Sequence, residues 1–251
     1  MPNINTLIEH KIASNIINSK LKELYYNIPE ENYAAIEEYN SFSSEHILTN
    51  PLLLAASDEY ANADKKVMII GQETYTWLKE VKNGAFSREN NPPILQSLFD
   101  MFCNNPNRKY NSAFWTFINE CQKIAKQNNS GIITNNIAKV GYVGERGNDL
   151  NVSCLWGKIL LEEIKICDPN MLLFVSGPLY DKMINNIFGN YKASRCIDGV
   201  TTRKLAKLEF EDGVLKGRSV YRTYHPAFLQ KSINRFEWIS SVYKFIDTLF
   251  Q

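Results

Sequence analysis

Three short apolar runs, and a fourth segment near the C-terminus, each end in residues able to do chemistry. Val67-Met68-Ile69-Ile70-Gly71 is followed by Gln72-Glu73-Thr74-Tyr75-Thr76-Trp77. Gly131-Ile132-Ile133-Thr134 runs into Asn135-Asn136-Ile137-Ala138-Lys139, and Met171-Leu172-Leu173-Phe174-Val175 into Ser176-Gly177-Pro178. The segment ending at Tyr224 is followed by His225-Pro226-Ala227-Phe228. In open parallel sheets ligands bind outside the carboxyl ends of the strands. A carboxylate, an amide and an imidazole brought to one such edge from distant positions would supply a charge stabiliser, a hydrogen-bonding edge reader and a proton donor.

The elements that must position these groups are legible in the periodicity. The apolar, β-branched runs suit strands buried on both faces. Helical spacing precedes two of them, over Ser112 to Lys126 and Leu155 to Ile166. Strands alternating with helices imply βαβ units, so the expected fold is α/β, a three-layer α/β/α sandwich with a central, mainly parallel sheet. Leu205 to Phe210, the turn Glu211-Asp212-Gly213, and Val214 to Tyr224 read as a hairpin. A closing helix is expected over Phe236 to Phe250, and an opening one over Thr6 to Tyr26, with a weaker helix around Glu30 to Tyr39. The expected organisation is a single domain over residues 1–251, with residues 1–50 a helical N-terminal extension.

Composition bounds the function classes. The 251 residues are 44% hydrophobic and 22% charged, with 28 Lys+Arg against 27 Asp+Glu. This is globular composition, unlike that of disordered, collagenous or coiled-coil chains. No run approaches the roughly 18 apolar residues of a membrane span, and the first residues lack the basic-then-apolar plan of a signal peptide. An intracellular, cytoplasmic protein with no membrane partner is therefore expected. The five cysteines are scattered, with no CxxC and no neighbouring His. Neither disulfides nor a zinc or iron–sulfur site is expected, and no cofactor. Charge is polarised: residues 1–66 hold 5 basic and 10 acidic side chains, whereas residues 192–235 hold 10 basic and 4 acidic. The basic C-terminal third suits a polyanion, or equally a solvated, charged hairpin.

On these residues the chain resembles the uracil-DNA glycosylase superfamily. VMIIGQETYT is similar to the superfamily's apolar strand ending in Gly-Gln-Asp-Pro-Tyr-His. IITNNIAK resembles its second motif, a strand ending in Asn, and TYHPAF its C-terminal His-Pro-Ser motif. The three occur in the same order, and the resemblance covers roughly Asn50 to Gln251. It implies a monomeric, metal-free hydrolase that excises uracil or a related damaged base from single- or double-stranded DNA.

The roles follow from the resemblance. Glu73 would stabilise the sugar cation and orient water, and His225 would donate to the base oxygen, an oxyanion-type stabilisation of about 3–4 kcal/mol. Asn135 would pair with the edge of a flipped base, and Tyr75 would exclude a 5-methyl group. Gly71 and Gln72 would add backbone amides, and Pro226 and Ala227 would flank the base at the start of an apolar wedge running to Leu229. Lys139, Arg222, Lys231 and Arg235 would meet phosphates. The chain departs from the motif with Glu for Asp at 73, Thr for Pro and His at 74 and 76, and Ala for Ser at 227.

Each residue also has a structural reading. Glu73 can cap a following helix, Asn135-Asn136 can form a turn, His225 can simply end a strand, and Tyr75 and Trp77 can be core aromatics. The same fold and pocket can also bind a base, nucleotide or nucleic acid without cleaving it. Gly141 to Gly147 is glycine-rich but follows no strand in the phosphate-cradling pattern, so it reads as a mobile loop, with phosphate contact the lesser alternative; His10 and His46 have no assigned role.

Overall fold

The computed structural model describes residues 4–74, 85–89, 92–103 and 112–250. Its centre is a six-stranded sheet in the order β2-β1-β3-β6-β5-β4. Strands β1 (Lys65–Glu73), β2 (Ser130–Ala138), β3 (Met171–Phe174) and β6 (Ser219–Thr223) run parallel, while β5 (Leu205–Phe210) and β4 (Tyr191–Arg195) add antiparallel to one edge.

The apolar runs became central strands because both of their faces are covered. Val67, Met68, Ile69 and Ile70 are all fully buried. Met68 and Ile70 join one apolar cluster with α1 (Ile4–Tyr26), α2 (Glu30–Phe42), α4 (Pro92–Cys103), α6 (Leu150–Cys167) and α7 (Asp181–Phe188). Val67 and Ile69 join the other cluster, with Phe117, Ile118 and Cys121 of α5 (Ala113–Gln127) and Val242 and Ile246 of α9 (Trp238–Leu249). The result is a three-layer α/β/α sandwich. Two short helices complete the layers: α3 (Asp58–Ala61), whose Tyr60 joins the first cluster, and α8 (Pro226–Ser232), which packs against α5.

The N-terminal helices belong to this core. Leu21, Tyr25 and Ile36 are buried in the same cluster as Trp156 and Leu160 of α6. Among the described residues, no helix is long and apolar enough to cross a membrane.

Two expectations needed adjustment. The Asp-Gly turn is not tight: Leu205 pairs with Thr223 and Lys207 with Tyr221, leaving 211–218 as successive turns through Gly213 and Gly217, both at positive φ. The second strand does not end at Thr134, because Asn135, Asn136 and Ala138 continue the ladder opposite Ile70, Gly71 and Glu73. Strand β4 carries no apolar alternation and is largely exposed, so pairing to β5 rather than its own composition makes it a strand.

Candidate active site

The site is built outward from Gly71. A Cβ there would lie 2.6 Å from Asn136 Oδ1 and 3.1 Å from the Phe114 ring, so glycine is what lets both pack over the strand. Phe114 opens α5, whose N-cap Ser112 accepts from the Trp115 N–H at 3.3 Å. The His225 ring is nearly parallel to Phe114, at a centroid distance of 6.0 Å and 14°. The Asn136 carboxamide has no hydrogen-bond partner among the described residues and is partly exposed, so its donors and acceptor remain available.

His225 is the N-cap of α8, and its Nδ1 accepts from the Ala227 N–H at 3.2 Å. A backbone amide only donates, so Nδ1 is unprotonated and the ring proton sits on Nε2. Burial, with a smaller contribution from the Arg146 charge, pushes the His225 pKa down to about 4. The imidazole is thus neutral near pH 7 and offers an Nε2–H donor.

Glu73, the last residue of β1, does not dangle free. Its Oε1 accepts from the Gly147 N–H at 3.2 Å, and its Oε2 from the Tyr180 hydroxyl. Tyr180 ends a single 3-10 turn, Pro178–Tyr180, that follows β3. Burial and the adjoining Glu73 carboxylate raise its phenol well above the ordinary range, which keeps it protonated as a donor. The Gln72 side chain donates to the Ser176 carbonyl at 2.8 Å and so ties the ends of β1 and β3 together.

The stretch from Gly141 to Asp149 is braced rather than loose. Thr49 N donates to Gly141 O at 2.9 Å, Val143 N to Ile47 O at 2.8 Å, and Tyr142 N to Gly147 O at 3.0 Å. The Tyr142 ring stacks with His46 at 4.6 Å and its hydroxyl accepts from that of Tyr39 at 3.2 Å, while His46 is paired with Glu145. The N-terminal segment therefore shapes the loop that reaches Glu73, and His46 acquires a structural role.

Several expected site residues lie elsewhere. Asn135 is fully buried on the opposite face of β2 from Asn136, where Nδ2 donates to Glu163 Oε2 at 2.9 Å. Lys139, expected at a phosphate, is fully buried too, with Nζ 2.7 Å from Glu163 Oε2 and 2.9 Å from Asn135 Oδ1. Side chains alternate along a strand, so this face meets α6 and its Glu163. Burial pulls the Lys139 pKa down, and the Glu163 carboxylate opposes that shift. Tyr25 completes the cluster by donating to Glu163 Oε1 at 2.7 Å. Arg222 is only 3% exposed and is held by Asp181 and the Arg203 carbonyl, so it is not free for a phosphate.

Pro226 is buried, and the Ala227 N–H is already spent on His225. Of the expected wedge, Pro226 and Leu229 are buried and Phe228 is the large exposed side chain, stacked on Tyr224 at 4.5 Å. Lys231 and Arg235 are exposed beside it, and Lys204 lies 4.8 Å over the Trp238 ring. Tyr75 lies outside the described residues. Glu73, His225 and Gly71 thus come to one edge as expected, while Asn136, Phe114, Tyr180 and Arg146 were not singled out. The Asn-Asn pair was the visible signal for Asn136 and the glycine-rich run 141–147 for Arg146; Phe114 and Tyr180 carry no motif.

A groove of about 660 Å³ between α2 and the start of α6, lined by Tyr39, Phe42, Asp149 and Leu155, holds none of these strand-end groups. Among the described residues, no cluster of three or more His, Cys, Asp or Glu is placed to hold a metal ion. No family model and no curated protein matches the chain.

Proposed function

We propose that this chain is a uracil-DNA glycosylase-like hydrolase, a cytoplasmic, monomeric enzyme of base excision repair that cleaves the N-glycosidic bond of uracil or a related damaged base in DNA. The observation that carries the reading is the fixed tautomer of His225. A neutral imidazole with its proton held on Nε2, beside the unengaged Asn136 amide and the Phe114 ring, is a ready receptor for a flipped pyrimidine.

Breaking the bond leaves positive charge on the sugar and negative charge on the departing base. His225 Nε2–H donates to the base oxygen where that negative charge develops. Being neutral, it strengthens its hydrogen bond as the base becomes anionic without having to surrender a proton. Asn136 takes the role first expected of Asn135, with its carboxamide pairing to the Watson–Crick edge. The Glu73 carboxylate faces the sugar, held by Tyr180 and Gly147 so that it stabilises the cation and orients the attacking water. The exposed Lys231, Arg235 and Phe228 suit DNA flanking the extruded nucleotide.

A second reading, a base- or nucleotide-binding protein that does not cleave, draws on the same two hydrogen bonds, which engage both carboxylate oxygens of Glu73. The deciding experiment incubates the protein with labelled uracil-, hypoxanthine- and xanthine-containing oligonucleotides, followed by alkaline cleavage of abasic sites. Strand breaks that vanish in Glu73→Gln support the hydrolase. Binding without breaks on any substrate supports the second reading.

A further inference from the structure

We propose that Arg146 is an anion subsite that takes the phosphate beside the sugar of the bound nucleotide, presented over the sheet edge by a loop that residues 39–50 hold in place. This rests on the nucleic-acid reading above and names which part of the substrate the loop recognises.

Position comes first. Gly147 donates its N–H to Glu73 Oε1, so Arg146 is one residue, about 3.8 Å along the backbone, from the group that faces the sugar. A nucleotide whose sugar sits over Glu73 carries its phosphates to this side of the site. Availability comes second. Arg146 is exposed and has no hydrogen bond or ion pair among the described residues, whereas Arg88, Arg218 and Arg222 are each held by carboxylates. Its charge nevertheless acts on both His225 and Tyr180, so the guanidinium is within electrostatic reach of both.

The loop is built to keep it there. Gly144 and Gly147 sit at φ +79° and +123°, and the Tyr142–Gly147 hydrogen bond closes the turn between them. The Tyr39, His46 and Tyr142 contacts and the His46–Glu145 pair then anchor the turn to the N-terminal segment. Preorganisation of the backbone removes the cost of ordering the loop on binding and leaves only the arginine side chain to be fixed.

Electrostatics favours a phosphate as the occupant. A lone cation next to Glu73 opposes the positive charge that develops on the sugar. A phosphodiester seated on Arg146 cancels that repulsion and matches the planar guanidinium with two parallel hydrogen bonds.

The test uses the full chain and a five-nucleotide single strand with a central tetrahydrofuran abasic residue, which requires no base recognition. Affinity is read by fluorescence anisotropy. Arg146→Ala is expected to weaken binding by about tenfold or more and to lower the salt slope by about one. Replacing one of the two phosphates flanking the abasic residue with a neutral methylphosphonate should weaken the wild type to the same extent, with no further loss in Arg146→Ala. Arg146→Lys should recover part of the affinity. Wild-type affinity in Arg146→Ala, losses that simply add for both methylphosphonates, or no binding of the abasic strand by wild type would each overturn the subsite. If the subsite passes and no uracil, hypoxanthine or xanthine is released in the cleavage assay, the subsite stands and the glycosylase reading falls.

Discussion

Asn135 Oδ1 accepts a hydrogen bond from the backbone N–H of its neighbour Asn136 at 2.8 Å, so the buried amide of one residue sets the backbone that presents the other. The two carboxamides occupy opposite faces of β2. One is locked into a charged cluster under α6, and the other is unengaged above Gly71.

This division predicts different phenotypes for two adjacent alanine substitutions. Asn136→Ala should leave the unfolding midpoint nearly unchanged while reducing base release by about ten- to a hundredfold, through loss of edge pairing. Asn135→Ala should chiefly lower stability, by about 1–3 kcal/mol, because Lys139 and the Asn136 amide lose a buried acceptor. Urea denaturation and single-turnover cleavage, measured side by side, separate the two. A stable but inactive Asn135→Ala would return the reading role to Asn135.

Gly71→Ala offers a steric check on the same geometry. Its Cβ would press on Asn136 Oδ1 at 2.6 Å and on the Phe114 ring at 3.1 Å. Substrate affinity should fall as the amide and ring are displaced. Undiminished affinity and turnover in Gly71→Ala would mean that neither side chain contacts the base.

The Lys139–Glu163 pair predicts a large stability effect far from the surface. Lys139→Met strands the Glu163 carboxylate with only Tyr25 and Asn135 as donors, so unfolding free energy should fall by about 3–5 kcal/mol. The double substitution Lys139→Met with Glu163→Leu should recover much of that loss, since no buried charge then remains. Salt titration of DNA binding should be unaltered in a folded Lys139 variant, because this ammonium never meets solvent.

His225 makes stability and activity depend on pH in a defined window. The unfolded imidazole titrates near 6.5 and the folded one at about 4, so between these values the unfolded chain binds more protons. Its contribution is therefore complete above about pH 6.5 and is lost as pH falls toward 4. Urea unfolding of wild type and His225→Gln across pH 4–7 should show a shallower slope for the variant. Cleavage that depends on the neutral ring should persist down to pH 5, and a steep loss of turnover centred near 6.5 would contradict the assignment.

Glu73→Gln separates catalysis from architecture. The amide oxygen can still accept from Tyr180 or Gly147, so the fold should survive. Hydrolysis should fall on the order of a thousandfold, because the negative charge that stabilises the sugar cation is gone. Affinity for the abasic strand should hold or improve. Equal loss of affinity and turnover would show that Glu73 serves binding alone.

The layers and the ends of the strands follow from residue type and periodicity alone. Continuous β-branched runs such as Val67 to Ile70 can be satisfied only between two apolar layers, and the residues that follow them must emerge at one sheet edge. Glu73 and His225 were therefore legible as strand-end groups, and the helix over 113–127 was legible from its apolar stripe. Which amide faces the site was set by the packing of the sheet. Side chains alternate with a period of two, so whether Asn135 or Asn136 reads outward depends on the register against β1 and on how far the ladder continues. The same parity buried Lys139 against a Glu163 that lies 24 residues away in sequence. Arg146, Tyr180 and Phe114 come from a loop, a single helical turn and a helix start. Their meeting is set by packing between segments up to about a hundred residues apart, as in the contact of Glu73 with Tyr180, and no local periodicity records such a meeting.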